Sequence, residues 1–384
     1  MLLTQGTGTS LMEHLRQVPD PRIERTRRHE LMDILVIALC AVIGGADNWV
    51  DVVQFGKAKK EWFATFLKLP NGIASHDTFA RVFQIIDSQV LEKVCIDWLQ
   101  SIAGQVQGVV AIDGKSLRGS RHGAQAPLHI VSAWACQASM LLGQVQTDKK
   151  SNEITAIPEL LKLLSIQGCI VTIDAMGCQK AITKAIVASE ADYVLNLKGN
   201  HRHLHGEVAA WFETSQASEQ ARPAHSHHLE CASTNNHGRI ERREHWLMEV
   251  PEHLKRATKY WAKLQTIAMV RRTRQVAGKT SDETHYYISS LPLSAGAQTI
   301  GQAIRSHWAV ENELHWSLDV SFREDACKVR RDEGPVNLAC LRRLALTQLK
   351  REKSLKASLK SKRCRAGWDP AYMLKVLDVG VLSI

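Results

Sequence analysis

Two apolar runs of this chain each end in an aspartate followed by small residues. Val109-Val110-Ala111-Ile112-Asp113 leads into Gly114, and Cys169-Ile170-Val171-Thr172-Ile173-Asp174 leads into Ala175-Met176-Gly177. A short β-branched run closed by an acid predicts a buried strand that delivers a carboxylate to the end of a sheet. Two such strands side by side would bring two carboxylates within reach of one divalent cation. Far downstream, Glu311 falls in a helical pattern, seven residues after Ile304 and seven before Leu318. That spacing predicts an acid on the apolar stripe of a helix, where an ionised carboxylate is costly unless paired or metal-bound. Three hard oxygen ligands suit a Mg²⁺ pair, with Mn²⁺ as a substitute, for phosphoryl transfer. A bland reading of Glu311 also exists, a ladder with His307 and His315 at i−4 and i+4. By the same helical spacing Glu313 points elsewhere and reads as a solvated acid.

The rest of the chain gives these acids a setting. Its 384 residues suffice for two or three domains, or for one domain with an insertion. The formal charge of +10 suits a polyanionic partner. Basic residues gather at Arg22–Arg28, at Arg239–Arg274 and, in the longest run, at Arg342–Arg365, which predicts a nucleic-acid groove. Nine cysteines stand singly with no C-x-x-C pair, which argues against a structural zinc module and a disulfide framework and fits reduced thiols. The longest apolar run, Ile34 to Ala46, is too short to span a bilayer. The expectation is a soluble cytoplasmic protein, at the nucleoid when bound to DNA, with no membrane partner.

The pattern along the chain predicts an α/β architecture in five parts. Residues 1–105 read as a helical N-terminal domain, with Ser75-His76-Asp77-Thr78 offering a helix cap before Phe79 and Arg81. Either DNA-end binding or plain scaffolding suits it. Residues 106–214 read β-β-β-α-β-α-β, a mixed sheet with helices on its faces. Residues 215–297 read as a β-rich insertion with strands near Glu244–Val250, Leu264–Arg271 and Thr284–Leu291. Residues 298–350 return to helix and complete the core with Glu311, and 351–384 form a basic C-terminal tail.

Other motifs carry less. Gly114-Lys115-Ser116 imitates the end of a phosphate-binding loop, but the required glycine position holds Val109. His201, His203 and His205, with His225, His227 and His228, sit in polar stretches that read as solvated loop. His307, Glu311 and His315 could face a zinc ion from one helix, without the H-E-x-x-H spacing that would support it.

Together the motifs carry a resemblance that covers nearly the whole chain in order. Asp113-Gly114-Lys115-Ser116-Leu117-Arg118-Gly119, Asp174-Ala175-Met176-Gly177, Leu197-Lys198-Gly199-Asn200 and the run from His307 to Val320 resemble the motifs of H-repeat-associated insertion-sequence transposases. So do Pro19-Asp20-Pro21-Arg22 and Ser75-His76-Asp77-Thr78-Phe79. The resemblance implies an RNase H-like DDE transposase whose triad is Asp113, Asp174 and Glu311, binding two Mg²⁺ ions. It implies double-stranded DNA as partner, both the element's terminal inverted repeats and target DNA, and a homodimer in the synaptic complex. Related bacterial transposases place Tyr, Arg and Lys around the glutamate, where this chain has Ile304, His307 and Leu318. The phosphate-steering role therefore falls to none of them by position. Candidate DNA contacts are Lys115, Arg118, Lys198, Arg305, His307, His315, Lys328, Lys356, Lys360, Lys362 and Arg363. Two alternatives stay open: an RNase H-like nuclease or resolvase without strand joining, and an inactive transposon-derived DNA-binding protein.

Overall fold

A computed structural model describes residues 10–121, 123, 126–147, 153–217, 224–234, 239–276 and 278–378. The chain begins with helices α1 (Leu11–Leu15), α2 (Leu31–Ile43), α3 (Trp49–Ala58), α4 (Lys60–Phe63), α5 (His76–Ile85) and α6 (Ser88–Ala103). The core follows as β1 (Val109–Leu117), β2 (Leu128–Ala135), β3 (Met140–Gln146), α7 (Glu153–Lys162), β4 (Ile170–Ile173), α8 (Lys180–Ala188), β5 (Asp192–Leu197) and α9 (Arg202–Ala217). Next come β6 (His225–Thr234), β7 (Arg239–Glu249), α10 (Glu252–Thr258), β8 (Thr266–Val276) and β9 (Lys279–Ser289). A long helical run closes the core: α11 (Gly296–Ala309), a π-helical segment (Val310–His315) and α12 (Trp316–Val320). Helices α13 (Gly334–Arg351), α14 (Leu359–Trp368) and α15 (Pro370–Asp378) complete the described chain.

The chain divides into two compact units. The sheet unit holds residues 106–113 and 150–309, and the helical unit holds residues 1–105, 114–149 and 310–384. Strand β1 contributes its first half to one unit and its second half to the other.

In the sheet unit β1 pairs with β4 and β4 with β5, both in parallel, because helices α7 and α8 provide the crossovers. The three strands are apolar on both faces: Val110, Ala111, Ile112, Val171 and Leu195 are almost fully buried. On the far side β5 pairs antiparallel with β9, and β9-β8-β7-β6 continue as hairpins. The insertion thus extends the core sheet. It has one strand more than the sequence pattern predicts, since β6 begins at His225 inside the stretch read as polar loop. The other histidines of that reading are ordered as well. His201 precedes α9 and its Nε2 lies 2.6 Å from the Cys178 carbonyl, while His205 meets the Tyr286 ring edge-on at 5.2 Å.

In the helical unit β2 and β3 form an antiparallel hairpin beside the second half of β1. The order β3-β2-β1 there and β1-β4-β5 in the sheet unit is the RNase H-like arrangement of a meander followed by two parallel strands. Helix α2 is buried along nearly its whole length, as its sequence, apolar but for Asp33, requires, and Asp33 accepts from the Leu69 amide at 2.9 Å. Helix α5 turns Phe79 and Phe83 onto Trp49, with ring centroids 6.3 and 4.7 Å away, and leaves Arg81 exposed. No helix among the described residues is long and apolar enough to cross a membrane.

The basic run at Arg342–Arg365 departs most from expectation. It is a pair of packed helices rather than a tail. Arg343 is fully buried with its Nη1 2.7 Å from Glu324, which is equally buried. Arg363 is buried, donates to the Val42 carbonyl at 2.9 Å and lies 4.2 Å from the Phe322 ring centroid. Lys362 is buried too and donates to the Leu349 carbonyl at 3.0 Å. Charge density along the sequence hid this, because a buried cation with a partner has the same one-letter code as a solvated one.

Candidate active site

The sheet unit brings the two aspartates together. The last paired residues of β1 and β4 are Ile112 and Ile173, and the next residue on each strand is Asp113 and Asp174. Neighbouring strands lie about 4.8 Å apart, and residues in register on parallel strands face the same side. The two acids therefore stand side by side where the pairing of β1 with β4 ends, Asp113 in the middle of β1 and Asp174 just past the end of β4, each only partly buried.

The turn after β4 is built to fix Asp174. The amides of Met176 and Gly177 donate to its Oδ1 at 3.0 and 3.1 Å. One carboxylate oxygen is thereby held by the backbone. Gly177 admits no side chain, because a Cβ there would lie 2.1 Å from Ile173 Cγ2. Asn200 donates to the Ala175 carbonyl at 2.7 Å from the end of β5, with His201 against Cys178 beside it. The separated motifs Asp174–Gly177 and Leu197–Asn200 thus form one structure, a strand-end turn braced from the neighbouring strand.

Helix α11 runs beneath this end of the sheet. Its Gly301 is pressed on β7, where a Cβ would come within 2.7 Å of the His245 ring. Six residues on, His307 is largely buried with Nδ1 3.2 Å from Thr172 Oγ1, two positions before Asp174. Burial lowers the His307 pKa, and the negative charge of Asp174 opposes that. His307 packs on β4, a central strand of the sheet. Arg305 is exposed and paired with Glu230, and Lys198 is exposed at the end of β5.

In the helical unit Glu311 lies in the π-helical segment and its Oε2 is 3.1 Å from Nδ1 of the buried His315. Its side chain is 57% exposed, so it is not on a buried stripe. The seven-residue spacing from Ile304 to Leu318 assumes an unbroken α-helix. A π segment inserts extra residue per turn and shifts the phase between the flanking turns. Leu314 and Leu318 are buried while Glu311 turns outward. Glu313 also differs from expectation: it is half-buried and 3.1 Å from Lys350 Nζ.

Lys115 is not available as a DNA contact. It is buried, 2.8 Å from Asp319 and 3.4 Å from Asp325, and ties the second half of β1 to α12 and the segment that follows it. Arg118, Lys328, Lys356 and Lys360 are exposed, whereas Lys362, Arg363 and His315 are buried. Sequence reasoning missed Asn200, Gly177 and Lys115 as bracing residues. Their signal was present as motif membership, without a partner to give it meaning.

Strand-end acids on an RNase H-like sheet define a class of polynucleotide-processing domain. Comparison places the chain within it. The family described as "Transposase DDE domain" matches residues 104–348, and a DDE_Tnp_1-associated domain matches residues 12–99. The chain belongs to the transposase DDE domain family. It is 38% identical over 383 residues to the "H repeat-associated putative transposase YhhI" of Escherichia coli (strain K12), covering 97% of this chain and 99% of that one. It is 39% identical over 247 residues to the "H repeat-associated putative transposase YbfD" of the same strain, covering 64% of this chain and 96% of that one. A solved piggyBac transposase synaptic complex with hairpin DNA aligns over 97% of this chain and 78% of that one. Its 13% identity and TM-score of 0.44 are too low to assign any feature.

Proposed function

We propose that this protein is an active transposase that cuts double-stranded DNA at the ends of its own insertion sequence and joins the freed 3′ ends to a target. The observation that carries this is the pair Asp113 and Asp174 on adjacent parallel strands, with one oxygen of Asp174 fixed by two backbone amides. Glu311 is the third acid of the proposal by its place in the motif from His307 to Val320. The donor set is all carboxylate oxygen, which fits Mg²⁺ or Mn²⁺ and not a soft-metal site. A bound metal pair would lower the pKa of an attacking water or 3′-hydroxyl and stabilise the leaving oxygen at phosphorus. The protein's own part is placement. The Asp174 turn fixes one ligand, His315 Nδ1 orients Glu311, and Lys115 holds the strand that follows Asp113. Residues 1–105 are proposed to recognise the element's ends, and the active form to be a homodimer on paired ends in the cytoplasm.

The test is cleavage of linear duplex DNA carrying the element's inverted repeats, with Mg²⁺, by the full-length chain. Asp113→Asn and Asp174→Asn should each lower the rate by on the order of a thousandfold or more, with DNA affinity retained. Cleavage without strand joining would favour the nuclease reading. Specific binding without cleavage by the unaltered chain would favour the inactive DNA-binding protein. Equal affinity for scrambled ends would remove end recognition.

A further inference from the structure

The longest basic run of the sequence has four of its ten cations buried, Arg342, Arg343, Lys362 and Arg363, and a polyanion can be gripped elsewhere as well. The helical unit answers with a surface that no single stretch of sequence displays. Arg118 and Arg121 are exposed on the turn after β1. Arg323, Lys328, Arg330 and Arg331 are exposed on the segment between α12 and α13.

These two segments are built into one another. Arg330 Nε donates to the Gly119 carbonyl at 2.9 Å across 211 residues of sequence. The Arg118 amide donates to Asp325 Oδ1 at 3.3 Å. A Cβ on Gly119 would lie 2.1 Å from the Cys327 carbonyl oxygen and 2.7 Å from that of Asp325, so only glycine permits the approach. Of the four acids of the same segments, Glu324 and Asp325 are engaged, while Asp332 is exposed and Glu333 partly so. Glu324 is buried against Arg343, and Asp325 is engaged by Lys115 at 3.4 Å and by Arg118 at 3.5 Å. Arg323 lies 3.7 Å from Asp47, and Asp332 is exposed. Arg118 itself is 84% exposed. The result is a patch of six exposed cations on a braced base.

We propose that this patch binds the phosphodiester backbone of duplex DNA flanking the cleaved position. The proposal rests on the transposase reading and adds the surface that holds the DNA. Five of the six cations are arginines, whose planar fork matches a phosphate in two hydrogen bonds. Arg118 follows Asp113 by five residues, a span of at most about 17 Å along an extended chain, or roughly five base pairs of duplex. A contact at that reach positions DNA without reading its sequence.

The experiment compares salt dependence of binding in the full-length chain without divalent metal. Fluorescence anisotropy of a labelled duplex carrying the inverted repeat is followed from about 50 to about 200 mM NaCl. The variant carries Arg118→Gln, Lys328→Gln and Arg331→Gln, which leaves Arg330 on Gly119. It should flatten the slope of log affinity against log salt by up to about three units and weaken binding tenfold or more at about 150 mM. Lys356→Gln with Lys360→Gln serves as a control of equal exposure and should alter both quantities less. A triple variant with a native circular dichroism spectrum and an unchanged slope overturns the patch while leaving the transposase reading intact. If the unaltered chain binds no duplex at any salt, both fall.

Discussion

Strands β1 and β4 and the helical run from Gly296 to Val320 carry the acids proposed as a triad, yet they hold them by different means. On the strands the position follows from register alone. Ile112 faces Ile173, and the next residue on each strand is the aspartate. Backbone amides at 3.0 and 3.1 Å then fix Asp174 whatever its neighbours do. On the helix the position depends on a departure from regularity. Glu311 faces outward because a π segment interrupts the α-helical phase, and its contact is the side chain of His315. A π segment inside an α-helix is often a functional feature, since it costs regular hydrogen bonding without adding stability. The sheet therefore places its acids through the backbone, and the helix places its acid through a side-chain contact.

The sharpest way to break this contrast is to remove the helical acid. Glu311→Gln should abolish Mg²⁺-dependent cleavage as fully as Asp174→Asn, by on the order of a thousandfold or more, with DNA binding preserved. Its exposure predicts little loss of fold stability, well under 1 kcal/mol. If Glu311→Gln cleaves normally while Asp319→Asn is dead, the third ligand has been misplaced, and Lys115 with Asp319 belongs to the chemistry rather than to bracing.

What was legible in the sequence follows the same division. Strand-borne features were readable because period two and a terminal acid survive any tertiary context. The order β-β-β-α-β-α-β and the ends of β4 and β5 match the expectation, whereas β1 continues through Asp113 to Leu117. Helix-borne and surface features were not. The phase of Glu311 and Glu313 required knowing where a π segment falls, and no residue type announces one. The basic run failed for another reason. Arg343 and Arg363 find Glu324 and the Val42 carbonyl only after the chain folds back on itself. The patch at Arg118 and Arg331 was invisible because its halves are brought together by tertiary contacts such as Arg330 to Gly119.

A second prediction probes the support under the helix. His245 on β7 is buried where Gly301 of α11 presses on its ring. Burial pushes its pKa down to about 4, and the Glu230 carboxylate 4.0 Å away only partly opposes this. An unfolded histidine titrates near 6.5, so between about pH 6.5 and 4 the unfolded chain takes up a proton that the native chain refuses. The stability contributed is fully present above pH 6.5 and is lost as pH falls through that window, by up to about 3 kcal/mol. Urea unfolding at pH 7 and pH 4.5 checks it against His245→Gln, which lacks the titration. The unaltered chain should lose more stability between the two pH values than the variant does. Equal losses would mean that His245 stays hydrated and that α11 does not seal it.

The smallest expected effect separates Glu313 from Glu311. The two acids are two residues apart in the π segment, and both have a partner, yet only one is proposed to meet metal. Glu313 is 37% exposed and lies 3.1 Å from Lys350 Nζ, which in turn sits 5.2 Å from the Trp134 ring centroid. A half-exposed pair of this kind contributes under about 1 kcal/mol after screening and side-chain entropy. Glu313→Gln should therefore lower the melting temperature by only a few degrees at most and leave the cleavage rate within about threefold. The effect on stability should shrink further when salt is raised, because an exposed ion pair is screened and a metal ligand set is not. A dead Glu313→Gln with an intact fold, beside an active Glu311→Gln, would mean that the π segment turns the other acid toward the metals.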